Sequence, residues 1–170
     1  MTRPPALPVR APRSIAPAAA SRVLLSLALG TAAALPAGAQ ACTALPAVGG
    51  GTTVNKTIQL NGPLTFPFGR TNFNTDFTVS RAYGSYTIHF RSTSSEKGPY
   101  PIEAYLKFSD GSNLQVVNET LEPNPGEARR FGPFRPPAGK LVTQVNVKVG
   151  SSYNANATGR SYSLSVDGCP

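Results

Sequence analysis

Ile102, Ala104, Leu106 and Phe108 alternate with Glu103, Tyr105 and Lys107 along the middle of the chain. A strict period of two places alternate side chains on opposite faces of an extended backbone, so this run predicts a strand with one buried face. Ser109-Asp110-Gly111-Ser112-Asn113 follows, then Leu114-Gln115-Val116. Asp110-Gly111 supplies a tight reversal, because Gly tolerates positive φ and Asp tolerates turns. The centre of the chain therefore predicts a β-hairpin.

The same period recurs on both sides. Val54, Ile58 and Leu60 flank Lys56 as a first strand after a small, Gly-rich lead-in from Thr43 to Thr52. Asn61-Gly62-Pro63 marks a turn, and Leu64 to Phe68 predicts a short edge strand, since Pro67 cannot donate to a ladder. Phe77 and Val79 begin another strand. Ala82-Tyr83-Gly84-Ser85 predicts its turn, with Tyr86, Ile88 and Phe90 on the return. Pro123-Asn124-Pro125-Gly126 is a further turn, and Glu127 to Phe131 predicts a short strand. Three prolines between Gly132 and Gly139 exclude a central strand there. Leu141, Val145, Val147 and Val149, then Tyr162, Leu164 and Val166, complete the pattern on either side of a Ser- and Asn-rich loop from Gly150 to Gly159. No segment carries a helical period. The expected fold is all-β, a single antiparallel β-sandwich of about eight or nine short strands. Jelly-roll and immunoglobulin-like topologies both fit, because local sequence does not report strand pairing.

Residues 1–41 follow a different pattern. Arg3, Arg10, Arg13 and Arg22 come with no acid, and an apolar run of 13 residues extends from Val23 to Leu35. A membrane span needs about 20 residues, so the run suits the core of a signal peptide. Small residues at Ala37-Gly38-Ala39 and Ala39-Gln40-Ala41 predict cleavage after Ala39 or Ala41. The domain assignment is thus a signal peptide over 1–41 and a β-sandwich over 42–170. No later run is long enough to span a membrane, and a secreted or periplasmic location follows. Lipid anchoring through Cys42 is the alternative, although Ala39-Gln40-Ala41 lacks a large aliphatic residue ahead of the cysteine.

Charge changes once the leader is set aside. The chain carries +8 overall, whereas residues 42–170 hold 12 Lys/Arg against 8 Asp/Glu, a net of +4. That surplus is mild and unclustered, and nucleic acid is not an expected partner. Cys42 and Cys169, the two cysteines, open and nearly close the mature chain. In an oxidising compartment they are expected to pair, which requires the chain ends to lie side by side.

Candidate chemistry is sparse. His89 is the one histidine, on the outward parity of its strand beside Arg91, and no Gly-x-Ser-x-Gly elbow accompanies it. Asp110 and Asp167 each precede a glycine and read as turn residues, and Glu119 and Glu122 as solvated charge. One His and two Cys do not make a four-ligand zinc site. No catalytic residue, metal or cofactor is expected, and a hydrolase is the least favoured class. Asn55-Lys56-Thr57, Asn118-Glu119-Thr120 and Asn156-Ala157-Thr158 match the glycosylation pattern, but chance produces such triplets in a chain this rich in Ser and Thr.

Basic and aromatic residues interleave at Arg129, Arg130, Phe131, Phe134 and Arg135. Arginine pairs with carboxylate or sulfate and an aromatic ring stacks on a sugar face, so this is the candidate ligand site. Parity puts Arg129 and Phe131 on one face and Arg130 on the other. A guarded edge strand, with Phe buried and Arg solvated, is the competing explanation. The expectation is a non-catalytic binding module, carbohydrate-directed, with Tyr105 and Tyr153 as further exposed aromatics. The alternative is a structural or envelope protein whose partner is another protein, bound at a sheet edge.

Overall fold

The computed structural model describes residues 41–59, 73–151 and 153–170. The leader over 1–40, Leu60, the turn at Asn61-Gly62-Pro63 and the edge strand expected over Leu64 to Phe68 lie outside the described residues. Nine strands are present among those described: β1 Thr43–Ala44, β2 Thr53–Thr57, β3 Asn74–Thr78, β4 Ser85–Ser92, β5 Tyr100–Phe108, β6 Asn113–Leu121, β7 Ala128–Phe134, β8 Val142–Val149 and β9 Ser161–Cys169. One sheet runs β1-β9-β4-β7, with β2 also paired to β9; the second runs β3-β8-β5-β6. Every pairing is antiparallel.

The pairings follow one rule. β5 pairs with β6, β4 with β7, β3 with β8 and β2 with β9. The first half of the chain runs back along the second half as a single long hairpin, and the rungs fall alternately into the two sheets. The β5–β6 turn predicted from sequence is its tip. Rolling this hairpin adds the β4–β9 and β5–β8 ladders. This is the jelly-roll arrangement. An immunoglobulin-type domain keeps its last two strands in one sheet, whereas β8 and β9 lie in different sheets.

Alternation builds the core. β5 and β9 bury every second residue without exception. Tyr86, Ile88 and Phe90 of β4 meet Tyr162, Leu164 and Val166 of β9 from one sheet, and Ile102, Leu106, Val145 and Val147 face them from the other. Each such side chain contributes roughly 1.5–3 kcal/mol by leaving water. A one-residue slip of β5 would expose its entire inward set, which fixes its register.

At the tip, Gly111 has φ of 82°, its N–H donates to the Phe108 carbonyl, and the Asp110 carboxylate accepts from the Ser112 N–H at 3.0 Å. Across the base of the roll, Lys56 donates to the Asn74 carbonyl at 2.7 Å and to Thr75 Oγ1 at 2.9 Å, tying the β2 edge to the β3 edge. The Cys42–Cys169 disulfide closes the same side, with Cα atoms 4.2 Å apart. Among the described residues no helix is long and apolar enough to cross a membrane.

Five expectations are corrected or refined. The hairpin expected at Ala82–Ser85 does not form, since β3 and β4 belong to opposite sheets. Leu141 is 49% exposed and Val142 takes the inward place, because the register shifts between Lys107 and Phe108 and pairs Phe108 with Val142. The lead-in contains β1, whose short ladder continues as the Leu45 N–H donates to the Val166 carbonyl. Asp167 is not in a turn but inside β9. Lipidation of Cys42 needs its sulfur, which is bonded to Cys169.

Candidate functional site

β6 and β7 are the last strands of their respective sheets and are consecutive in the chain. The turn between them is held by Glu127, whose carboxylate accepts from the Asn124 N–H at 2.9 Å. These two edges, unpaired among the described residues, therefore face each other across one side of the sandwich. Between them lies a groove of about 730 Å³, lined by Val116, Val117 and Glu119 of β6 and by Arg129, Arg130, Phe131 and Phe134 of β7, among others.

Register decides what each β7 side chain does. Arg129 pairs with Phe90, Phe131 with Ile88 and Phe134 with Tyr86, all partners on the inward face of β4. Arg130 pairs with His89 on the outer face. Plain alternation would put Phe131 and Phe134 on opposite faces. Gly132 and Pro133 together oppose Thr87, however, and this bulge returns Phe134 to the side of Phe131. Phe131 is buried at 7% and Phe134 is half-buried, so the first is core and the second presents part of its ring. On β6, Glu119 pairs with inward-facing Ile102. Arg129 and Glu119 thus sit on inward parity at two open edges, where inward charge also deters edge-to-edge aggregation.

A second, shallower depression of about 290 Å³ lies on the outer face of the same sheet, lined by Thr53, His89, Arg91, Arg130, Ser163 and Ser165 among others. Thr53, Ser165, His89 and Arg130 form one row across four strands, and Ser163, Arg91 and Ala128 form the next. His89 Nε2 lies 2.9 Å from Asp167 Oδ2. The Ser-His-Asp triad holds its acid on Nδ1 and leaves Nε2 to the nucleophile, so this pair, with the acid on Nε2, does not reproduce that geometry. No group of three or more His, Cys, Asp or Glu able to hold a metal ion occurs among the described residues.

The two outer faces differ in how their charges are satisfied. On the β3-β8-β5-β6 sheet, Lys148 contacts Glu103 at 2.8 Å and Lys107 contacts Asp76 at 3.7 Å. Lys148 and the Tyr105 hydroxyl hold the Glu103 carboxyl below its usual range. Tyr105, expected to be an exposed aromatic, donates to Glu103 at 2.7 Å and accepts from Gln115 at 3.0 Å. Tyr153 is fully exposed. On the other sheet, the guanidinium groups of Arg91, Arg129 and Arg130 have no ion pair or hydrogen bond among the described residues, and the same holds for Arg135 beyond the end of β7.

The structure brings Arg129, Arg130, Phe131 and Phe134 together at the groove and leaves Arg135 outside its lining. Arg91, Ser163 and Ser165 were not legible as neighbours of this cluster, since only strand pairing places them there. In comparisons with known proteins, the chain matches no family model and no curated protein.

Proposed function

We propose that this chain is an exported, non-catalytic binding module that takes an anionic polysaccharide along edge strand β7. The carrying observation is that Arg129 and Arg130 flank a groove containing the partly exposed Phe134, with no carboxylate among the described residues holding either guanidinium. Arginine forks match carboxylate oxygens, and the ring offers a face to a sugar. Export is supported by the basic and apolar order of residues 1–41 and by the Cys42–Cys169 bridge, which persists in oxidising compartments.

A second reading has its own support. β6 is an open edge of nine residues without proline, suited to adding a strand from an envelope protein. A glycan array combined with a pull-down from envelope extract separates the two. Binding to acidic glycans, weakened by Phe134→Ala or Arg129→Ala, supports the polysaccharide module. A silent array with recovery of one specific protein partner supports strand addition and overturns the first reading.

A further inference from the structure

The groove and the outer-face depression share the β7 lining residues Ala128, Arg129 and Arg130, so they adjoin along β7. We infer that the ligand track continues over β7 onto the outer face of the sheet, where Arg91 and Arg130 form a second anion subsite for a uronic-acid polysaccharide. This rests on the groove being a polysaccharide site and names the class of glycan it takes.

Register sets the subsite. Arg91 pairs with Ala128, and Arg130 with His89. The two arginines are therefore diagonal neighbours on one face, roughly 7–8 Å apart at the backbone. Both are exposed. Asp167, the carboxylate of this face, is turned onto His89 and not onto either arginine. On the opposite sheet the surface lysines are satisfied from within: Lys148 and Lys107 are matched to Glu103 and Asp76. Against that background, two neighbouring guanidiniums with no carboxylate partner among the described residues are positions where a carboxylate can be supplied from outside.

The rest of the face argues for a sugar polymer over other anions. Ser163 and Ser165 on β9 and Thr53 on β2 line the depression. Hydroxyls both donate and accept, as sugar hydroxyls do. A nucleic acid carries a dense, unbroken row of phosphates and is met by clustered cations. Here two arginines stand beside a neutral hydroxyl strip, which suits a polymer with spaced charges. Planar carboxylates match the arginine fork bidentately.

Affinity electrophoresis of the full protein tests this, using gels carrying polygalacturonate, with dextran sulfate and uncharged dextran as comparisons. Arg91→Ala is expected to weaken polygalacturonate binding about tenfold, as for one lost charge-assisted contact, and to flatten its salt dependence. Arg91→Lys, which keeps the charge and loses the fork, should fall in between. Arg91 is exposed, and an unchanged melting temperature verifies that the variant is folded. Wild-type affinity and salt dependence in Arg91→Ala, with binding still lost in Phe134→Ala, would overturn the outer-face subsite and leave the groove standing. Equal or stronger retention by dextran sulfate would overturn the carboxylate assignment. Failure of the unmodified protein to bind any acidic polymer would overturn the groove and the track together.

Discussion

Replacing both cysteines, as Cys42→Ser with Cys169→Ser, should cost most of the stability that a covalent closure can give and leave ligand affinity unchanged. The bridge joins residues 127 apart in sequence. In the chain-entropy account, closing a loop of that length removes about 5 kcal/mol of freedom from the unfolded chain, a ceiling that residual structure lowers. The folded state keeps its own hold on β1. Thr43 and Ala44 remain paired with Gly168 and Asp167, and Leu45 remains buried at 1%, worth roughly 2 kcal/mol. Hence β1 should stay docked, and the loss should come from the unfolded side, at about 3–4 kcal/mol. For a domain of this size, 1 kcal/mol shifts the midpoint by roughly 3–4 °C, so the melting temperature should fall by roughly 10–15 °C. Urea unfolding of both proteins is the assay. The slope with urea should steepen in the variant, because its unfolded chain expands further. A loss below about 1 kcal/mol with an unchanged slope would refute the reasoning. It would mean that the ends are held by packing alone.

Three other outcomes are expected. Burial pushes the Tyr162 phenol from 10.0 to about 12, so between those values the unfolded chain has released a proton that the folded chain retains. Stability should be full below pH 10 and fall by about 3 kcal/mol in all as pH rises through 12. Lys56, held below its usual value by burial, contributes the opposite slope only below pH 10.5, and a flat profile of urea midpoints from pH 9 to 12 would contradict the Tyr162 effect. Gly132→Ala should destabilise by about 1–3 kcal/mol, because φ is 102° and the added carbon would lie 2.7 Å from the Tyr86 carbonyl oxygen; an unchanged melting temperature would refute this. Intact mass of the exported protein should begin at Gln40 or Cys42, and retention of residues 1–35 would overturn the leader assignment.

Local signals carried the strands and failed wherever long-range pairing decides. Ile102 to Phe108 was legible because the period of two is a property of the strand itself. The two Asp-Gly pairs show the limit. Asp110-Gly111 is a turn, with Gly111 at φ of 82°. Asp167-Gly168 looks the same in sequence but lies inside β9, and its glycine answers a different need. A side-chain carbon on Gly168 would lie 2.6 Å from the Tyr83 ring, so the glycine admits that ring against the strand. The site divides in the same way. Opposite faces for Arg129 and Arg130 followed from parity. Phe134 joining Phe131 required the bulge at Gly132 and Pro133, and Arg91 joining Arg130 required the β4–β7 ladder.

One topological fact accounts for both the bridge and the site. When a long hairpin is rolled, its roots are the first and last strands and come together by construction. β1 and β2 therefore lie end to end along one side of β9, and the pairing of Thr43 with Gly168 sets Cys42 beside Cys169. Among the described residues the strands beside the tip have no further partner, so β6 and β7 are the outer edges there. In the β1-β9-β4-β7 sheet the bridge occupies one border and the arginine-bearing strand the other. Charge belongs on a free edge whether or not a ligand uses it, because an uncharged edge invites pairing with another chain. What protection alone does not require is the partly exposed Phe134 ring beside those charges, or Arg91 one strand further in on β4, where there is no edge to guard. Those two residues are what the proposed binding surface adds to a merely guarded edge.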